Sequence, residues 1–409
     1  MFIEQLTTKS LHTAFIAVKR NRGSGGTDFV SIKQYERNLE KNLQELIRII
    51  QRGIYKPLPV RQVNIPKPNG KLRLLGIPAV RDRILQQALL TVIQPQLEPM
   101  FNVSSFGFRP NKSAHQAIDQ IQNYLNEGYT IIVDTDIKDF FGTLNQQILM
   151  AKARQAIPDS TATYLIWQFL RAGIMKEGEI RTSVTGTPQG GVISPILANL
   201  YLNDFDHGIE QAGLKLVRYA DDFVILCKSV NQAVYALNLI KALLKRLKLE
   251  LAEEKTSITD YCTGFEFLGY RFQQFYGNRR WPRRKAVYAF KDKIRKATRR
   301  QQPKNVARII QEINPLIRGW GNYFKHGNSK SCFERLDSWT RMRLRSFIEK
   351  KKWPAGMNWK YPTDHFIGLG LARLLPMCVV TSAAQQLSFS DMEQPARRAV
   401  CGKSARTVR

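Results

Sequence analysis

The sequence predicts an α+β protein: a mostly antiparallel sheet, helices over one face and the other face open, set between helical segments on either side. Three observations carry this. Short apolar runs of strand length alternate with helix-length periodic segments from about residue 129 to 276. Upstream, Leu39, Leu43, Leu46, Ile47 and Ile50 recur at helical spacing. Downstream, the pattern from about 286 to 350 turns helical again.

In chain order, residues 1–60 read as helical around a Gly-rich basic loop, Arg22–Gly26, which lacks the downstream Gly-Lys-Ser/Thr of a phosphate loop. Residues 60–78 alternate about a Pro68-Asn69-Gly70 turn, as a hairpin does. Residues 79–128 form a mainly helical block. A strand at 129–137 leads to a helix at 145–156, and a second helix is expected at 195–212. A hairpin centred on 219–222 follows, then a helix at 230–249 and a pair of strands around Phe265–Phe272. After Pro354 the pattern weakens; Tyr361–Pro376 is expected to be helical and basic, and Ser382–Arg409, polar and patternless, is expected to be disordered.

The 409 residues suffice for two or more domains, and a hydrophobic share of 43% is ample for packed cores. Sixty-three basic residues against 33 acidic ones give a formal charge of +30, too large an excess for an ordinary solvated surface. A polyanion is the natural partner, with an anionic membrane surface as the rival. No apolar run approaches the ~18 residues needed to span a bilayer, and Met1–Lys9 lacks the charged start and apolar core of a signal peptide. Cys227, Cys262, Cys332, Cys378 and Cys401 are odd in number and contain no CxxC pair. That favours reduced thiols in a cytoplasmic or organelle-matrix protein, and argues against structural zinc.

The charge is concentrated. Between Arg279 and Arg300, eleven residues are Lys or Arg and Asp292 is the one acid, with Trp281, Tyr288 and Phe290 interleaved. A solvated helix face normally mixes signs, so this stretch is expected to track a phosphate backbone.

The chemistry centres on Tyr219-Ala220-Asp221-Asp222, between the apolar runs Leu214–Val217 and Phe223–Cys227. Asp favours turns on its own account, yet two adjacent carboxylates at the tip of an apolar hairpin suit hard cations, which take oxygen ligands. Upstream, Tyr129–Asp136 is a strand whose alternation puts Asp134 and Asp136 on one face, Ile131 and Val133 on the other. Three carboxylates brought together repel. Two divalent ions ~3.5–4 Å apart would resolve that repulsion and align an in-line attack on phosphorus. Between the two acidic segments lies Thr187-Pro188-Gln189-Gly190-Gly191-Val192-Ile193-Ser194-Pro195, a loop leading into a helix for which Pro195 suits the N-terminus.

In this order, Asp136-Ile-Lys-Asp-Phe-Phe141, then TPQGGVISP, then Tyr219–Asp222, the chain resembles reverse transcriptases of the group II intron type. The resemblance extends from about residue 10 to 350. It takes in Ile65–Pro78, Asp82–Ala88 and Ser105–Asn111 upstream, and Lys255-Thr256, Phe265–Tyr270 and the maturase-like Gly319–Phe324 downstream. It implies a right-hand polymerase: N-terminal extension and fingers at 1–128, palm at 129–278, basic helical thumb and maturase domain at 279–355, and a basic, DNA-binding C-terminal segment at 356–409. Longer family members carry a Cys/His-containing endonuclease domain, which is not expected here.

The resemblance also implies roles. Asp136, Asp221 and Asp222 would hold two Mg²⁺, with Mn²⁺ as a second candidate; Asp222 is the less certain ligand. Lys67 and Arg73 would neutralise the triphosphate of a dNTP, and Lys71 is an alternative to either. Asp139, Phe141, Gln189 and Ala220 complete the nucleotide pocket: Phe141 as a steric gate against the 2′-hydroxyl, Gln189 against the nucleotide or template, and Ala220 leaving room for the primer end. Phe140 is the expected core member of its pair. Gly142 stands where the family often has an acid, which puts the local loop and the role of Asp139 in doubt. Nucleic-acid contacts are expected from Arg109, Lys255, Gly269, Arg283, Arg284, Arg295 and Arg299. Trp320, Tyr323 and Phe324 are read as core.

The expected partners are structured intron RNA, an RNA template, a DNA primer or target and dNTPs, with no membrane and a homodimer as one option. Two other readings share these motifs in whole or part: a domesticated relative in DNA repair, phage defence or CRISPR spacer acquisition, and an RNA-binding splicing cofactor without polymerase activity.

Overall fold

The computed structural model describes residues 2–66, 70, 72–176, 179–181, 186–187, 190–275, 277–350 and 359–378. The chain divides into two compact units, residues 1–117 with 133–258, and residues 118–132 with 259–409.

In the first unit, the capping box of Thr7 with Ser10 starts helix Thr8–Asn21. Helix Leu39–Gln51 buries Leu43, Leu46 and Ile50, the face its periodicity marks. Strands β1 (Val60–Pro66) and β2 (Leu72–Ile77) pair antiparallel, as expected of the hairpin, with Ile65 opposite Arg73. Two short strands, β4 (Ile174–Lys176) and β5 (Glu179–Arg181), extend that sheet in the order β2-β1-β4-β5. A second sheet, of order β6-β7-β3-β8, is formed by β3 (Ile131–Asp136), β6 (Lys215–Tyr219), β7 (Asp222–Cys227) and β8 (Ser257–Asp260). Strands β6 and β7 pair antiparallel, closing on Tyr219 opposite Asp222. Helices Gln146–Ala156, Ser194–Gln211 and Val230–Arg246 lie close to the expected positions. Helix Ser194–Gln211 is buried along most of its length and has a proline in its first turn.

In the second unit, β9 (Phe265–Phe267), β10 (Tyr270–Gln274) and β11 (Asn278–Pro282) form an antiparallel sheet. Helices Arg284–Ala297, Val306–Phe324 and Lys330–Ile348 follow. The Tyr270 ring lies 4.9 Å from that of Phe324, and the Tyr323 hydroxyl donates to the Leu268 carbonyl at 2.7 Å. Trp320 meets Phe290, Phe324 and Phe333 at 5.0, 4.6 and 5.6 Å, so the Trp320, Tyr323 and Phe324 face is core, as expected. Because this sheet packs on these helices, the units divide at 258/259, and the expected palm–thumb border at 278/279 falls inside the second unit.

Residues 359–378 are built into the same unit. Asp337 accepts from the Leu374 and Leu375 amides at 2.8 and 3.0 Å. Asn314 donates to the Gly370 carbonyl and accepts from the Ala372 amide, both at 2.8 Å. Helix Thr363–Gly368 covers part of the helical stretch expected at 361–376. The tail expected to be disordered lies outside the described residues. Cys227, Cys332 and Cys378 are free thiols, as expected, whereas Cys262 is disulfide-bonded.

Candidate active site

Strand β3 brings Asp136 to its end, half-buried, with Ile131, Ile132 and Val133 beneath the sheet surface. The strand exits through a backbone bond from the Ala252 amide to the Asp136 carbonyl at 2.8 Å. The single 3-10 turn Glu253–Lys255 starts there and carries Lys255 back over the strand. Its ammonium donates to Oδ2 of Asp136. That hydrogen bond holds the Lys255 ammonium above the usual lysine range, with the charges of Asp136, Glu254 and Asp222 adding to it and partial burial opposing. Lys255 therefore pairs directly with Asp136, as a cation on the carboxylate.

Strand β7, neighbour of β3 in the sheet, begins at Asp222. Ala220 is buried at 8% exposure with φ +61, and that left-handed residue turns the chain so that Asp221 is half-buried and Asp222 exposed. Among the described residues, no three carboxylate, imidazole or thiol side chains stand together as a ready cation cage. Asp136 and Asp222 stand on adjacent strands, and the charge of each acts on Lys255. They are oxygen donors only, the chemistry of a hard divalent cation.

Phe140 is buried, packing edge to face on Tyr201, while Phe141 is half-exposed. The backbone of Phe141 accepts from the Thr187 amide at 2.9 Å, which ties the aromatic pair to the start of the TPQGG loop. Beyond that loop, the Val192 amide donates to Oε1 of the buried Gln86 at 2.7 Å. Asp139 adopts a left-handed conformation at φ +42, with its carboxylate folded against residue 142. A Cβ at 142 would lie 2.2 Å from Oδ2 of Asp139, so a side chain there would have to displace that carboxylate. Lys67, Lys71 and Gln189 lie outside the described residues. Arg73 is placed by its backbone in β2, and its side chain is not described.

The expected nucleic-acid residues fall into different environments. Arg109 is a correction: its side chain is 6% exposed and pairs with Glu98 at 2.7 Å, while donating to the carbonyls of Asn102 and Ser105 at 2.6 and 2.8 Å. It folds its own loop and leaves no surface for a phosphate. Gly269 sits in the β9–β10 turn with Leu268, both left-handed, against the Phe324 ring. Arg283 is half-buried and pairs with Glu266 at 3.5 Å. In the stretch from Arg279 to Arg300 the first residues are structural: Arg279 is buried, and Arg280 pairs with Asp119 at 2.6 Å. Helix Arg284–Ala297 buries Val287, Phe290 and Ile294 and exposes Arg284, Lys285, Tyr288 and Lys296; Arg299 beyond it is exposed as well. Arg295 is exposed but pairs with Asp292 and lies 5.5 Å from the Trp339 ring.

Sequence reasoning passed over Arg218, Asn199 and Asp206. Arg218 is wholly buried under the Tyr219–Asp222 turn, bonded to both of the others. A signal was present: an arginine interrupts the apolar run directly before the turn, and a buried helix carries an Asn and an Asp seven residues apart.

Comparison with known proteins shows the family. Residues 65–272 match the family model for reverse transcriptase (RNA-dependent DNA polymerase), and residues 287–362 match the group II intron, maturase-specific domain. The chain is 36% identical over 285 residues to Protein YkfC of Escherichia coli (strain K12), covering 60% of this chain and 75% of that one. It is 31% identical over 300 residues to the group II intron-encoded protein LtrA of Lactococcus lactis subsp. cremoris, covering 56% of this chain and 49% of that one. The chain thus spans three quarters of the first relative and about half of the second. A solved partial Cas6-RT-Cas1–Cas2 complex is 28% identical, over 59% of this chain and 42% of that one, with a TM-score of 0.38.

Proposed function

Because this chain belongs to the reverse transcriptase family, with a group II intron maturase-specific domain beside the polymerase, we propose that it copies RNA into DNA at the turn Tyr219–Asp222 and uses its second unit to hold intron RNA. A reverse transcriptase domain is in general a divalent-metal-dependent RNA-directed DNA polymerase, and a maturase domain implies RNA binding. The finer points are our own: the ion is Mg²⁺, with Mn²⁺ able to replace it, and the RNA is the chain's own group II intron. The primer or target is DNA. A homodimer is compatible with this function and is not required by it.

The observation that carries the reading is the juxtaposition at the sheet end, where Lys255 answers the charges of both Asp136 and Asp222. Asp136 and Asp221 would be the principal ligands of two ions, with Asp222 the third. Ions bound there supply an activated 3′-hydroxyl and a clamp on the triphosphate. The chain's own groups do the rest. The half-exposed Phe141 ring would stand under the nucleotide sugar and exclude a 2′-hydroxyl. Buried Ala220 keeps the turn narrow where the primer end must come. Lys67, Arg73 or Lys71 would neutralise the triphosphate, with an arginine able to take two oxygens at once, and Gln189 would face the nucleotide or template. Asp139, exposed and left-handed at the start of the Phe140–Phe141 turn, would complete the nucleotide pocket.

The test is primer extension on poly(rA)/oligo(dT) with dTTP by the purified chain. Extension in Mg²⁺ that is abolished by EDTA and restored by excess Mg²⁺ is the expected result. No extension in either Mg²⁺ or Mn²⁺ overturns the polymerase reading. Binding of the flanking intron RNA no tighter than that of an unrelated RNA of equal length overturns the intron reading separately.

A further inference from the structure

The guanidinium of Arg218 is 0% exposed and lies directly beneath the turn that carries Asp221 and Asp222. Its Nε and Nη2 donate to the two carboxylate oxygens of Asp206, also fully buried, in a two-point fork. Nη1 donates to Oδ1 of Asn199 at 3.0 Å and to the Ala220 carbonyl at 2.8 Å. The fork therefore has one end on helix Ser194–Gln211 and the other on the left-handed residue of the turn. Its backbone is fixed as well: the Arg218 amide donates to the Ser104 carbonyl and its carbonyl accepts from the Phe106 amide, both at 2.9 Å.

A third element closes the arrangement. Asn199 donates through Nδ2 to the Gly107 carbonyl at 2.8 Å. A Cβ at 107 would lie 2.3 Å from the Ala220 amide nitrogen, so only glycine permits this loop to pass under the turn. Helix Ser194–Gln211 starts where the TPQGG loop ends. It thus joins that loop to the turn through Asn199, Asp206 and Arg218.

We propose that Arg218 is a positioning residue for the catalytic turn: its fork holds Ala220 left-handed and so sets where the Asp221 and Asp222 carboxylates point. The proposal rests on the polymerase reading above. A buried ion pair alone does not require this arrangement, since pairs of this kind are often replaceable by apolar side chains without loss of stability. What the pair adds here is direction. A left-handed alanine is uncommon, and the carbonyl of that residue takes a side-chain bond from Arg218. Lysine, with a compact ammonium in place of a planar fork, cannot satisfy Asp206 and the Ala220 carbonyl in this geometry together.

The test uses the full chain and three variants. Arg218→Lys should lower kcat for dTTP addition by about 100-fold, the order expected of a small displacement of catalytic groups. The Kd for template–primer should stay within about threefold of wild type, and the Mg²⁺ concentration for half-maximal rate should rise. Placing Ala220→Gly in the Arg218→Lys chain should recover at least about tenfold of the lost rate, because glycine takes positive φ without needing to be held. Should Arg218→Lys melt below the assay temperature, Arg218→Met with Asp206→Leu carries the same comparison, since it removes both charges and keeps the volume. A folded variant with kcat within about threefold of wild type overturns the proposal. So does a loss of rate that Ala220→Gly leaves untouched, which would make Arg218 a purely structural residue. A wild-type chain that extends no primer brings down the polymerase reading and this proposal together, whereas an active variant brings down this one alone.

Discussion

The rings of Phe140 and Phe141 meet edge to face with centroids 5.1 Å apart, yet one is buried and the other half-exposed. The short helix that begins there turns successive residues to different sides, so adjacent aromatics take separate tasks. Phe141→Val should raise the efficiency of rNTP relative to dNTP incorporation by about tenfold or more, since in the proposed pocket the ring would oppose the 2′-hydroxyl. Phe140→Ala should instead cost about 3–5 kcal/mol of stability, the usual penalty for emptying a buried aromatic site. Competition assays with paired nucleotides and thermal melts of both variants check the division. An unchanged nucleotide ratio in a folded Phe141→Val chain makes Phe141 a packing residue.

Asp136→Asn and Asp221→Ala should each reduce primer extension to below about 5% of wild type while leaving RNA affinity nearly unchanged, since on the proposed reading the carboxylates would act on chemistry and the cationic surface on binding. Filter binding and extension measured on the same preparations separate the two quantities. A parallel loss of both would place these residues in the fold or in the RNA contact.

Arg109 and the exposed cations of helix Arg284–Ala297 should respond oppositely to removal. Arg109→Ala breaks a buried pair with Glu98 and should cost about 3 kcal/mol, with the salt dependence of RNA binding intact. Replacing Arg284, Lys285, Lys296 and Arg299 by Gln should leave the melting temperature nearly constant. It should flatten the slope of log K against log[salt] by up to about 3 units, at roughly 0.7 for each phosphate no longer neutralised. An unchanged slope for the fourfold variant assigns that helix face to solvent and moves the RNA track elsewhere.

Burial pushes the thiols of Cys227 and Cys332 up to about 12. The thiolate is the reacting form, so neither should be alkylated by iodoacetamide at pH 8 in the native protein, and both should be alkylated once it is denatured. Mass spectrometry of tryptic peptides reads this directly. Native labelling of either places it in a segment that opens.

Much of the architecture was legible because it follows from local pattern. The strand alternation before Asp136, the hairpin at Tyr219–Asp222 and the helical face of Leu43, Leu46 and Ile50 each depend on residues a few positions apart. Arg109 was misplaced because a charge in a loop reads as surface until the loop's own carbonyls are seen to surround it. Arg218 was passed over for the converse reason. Its partners Asp206 and Asn199 come from a helix, and the loop at Ser104–Gly107 lies more than a hundred residues upstream. Periodicity carries no record of such pairings. The basic stretch after Arg279 was legible as a charge density, but the division between buried Arg279 and exposed Arg284 depends on a strand giving way to a helix within it.

The docking of residues 359–378 has a practical consequence for anyone shortening this protein. The match to the maturase-specific domain stops at residue 362, which invites a cut there. Such a cut would strip Asp337 of both amides that bond its buried carboxylate, and Asn314 of both of its backbone partners. Each bond so exchanged for water costs about 0.5–1.5 kcal/mol. It would also open the cleft beside Gly321, where the side-chain ends of Leu374 and Met377 lie against helix Val306–Phe324. A shortened chain should accordingly run at least to Met377, and one trimmed to the family border should be tested for folding before any loss of RNA binding or copying is ascribed to the residues removed.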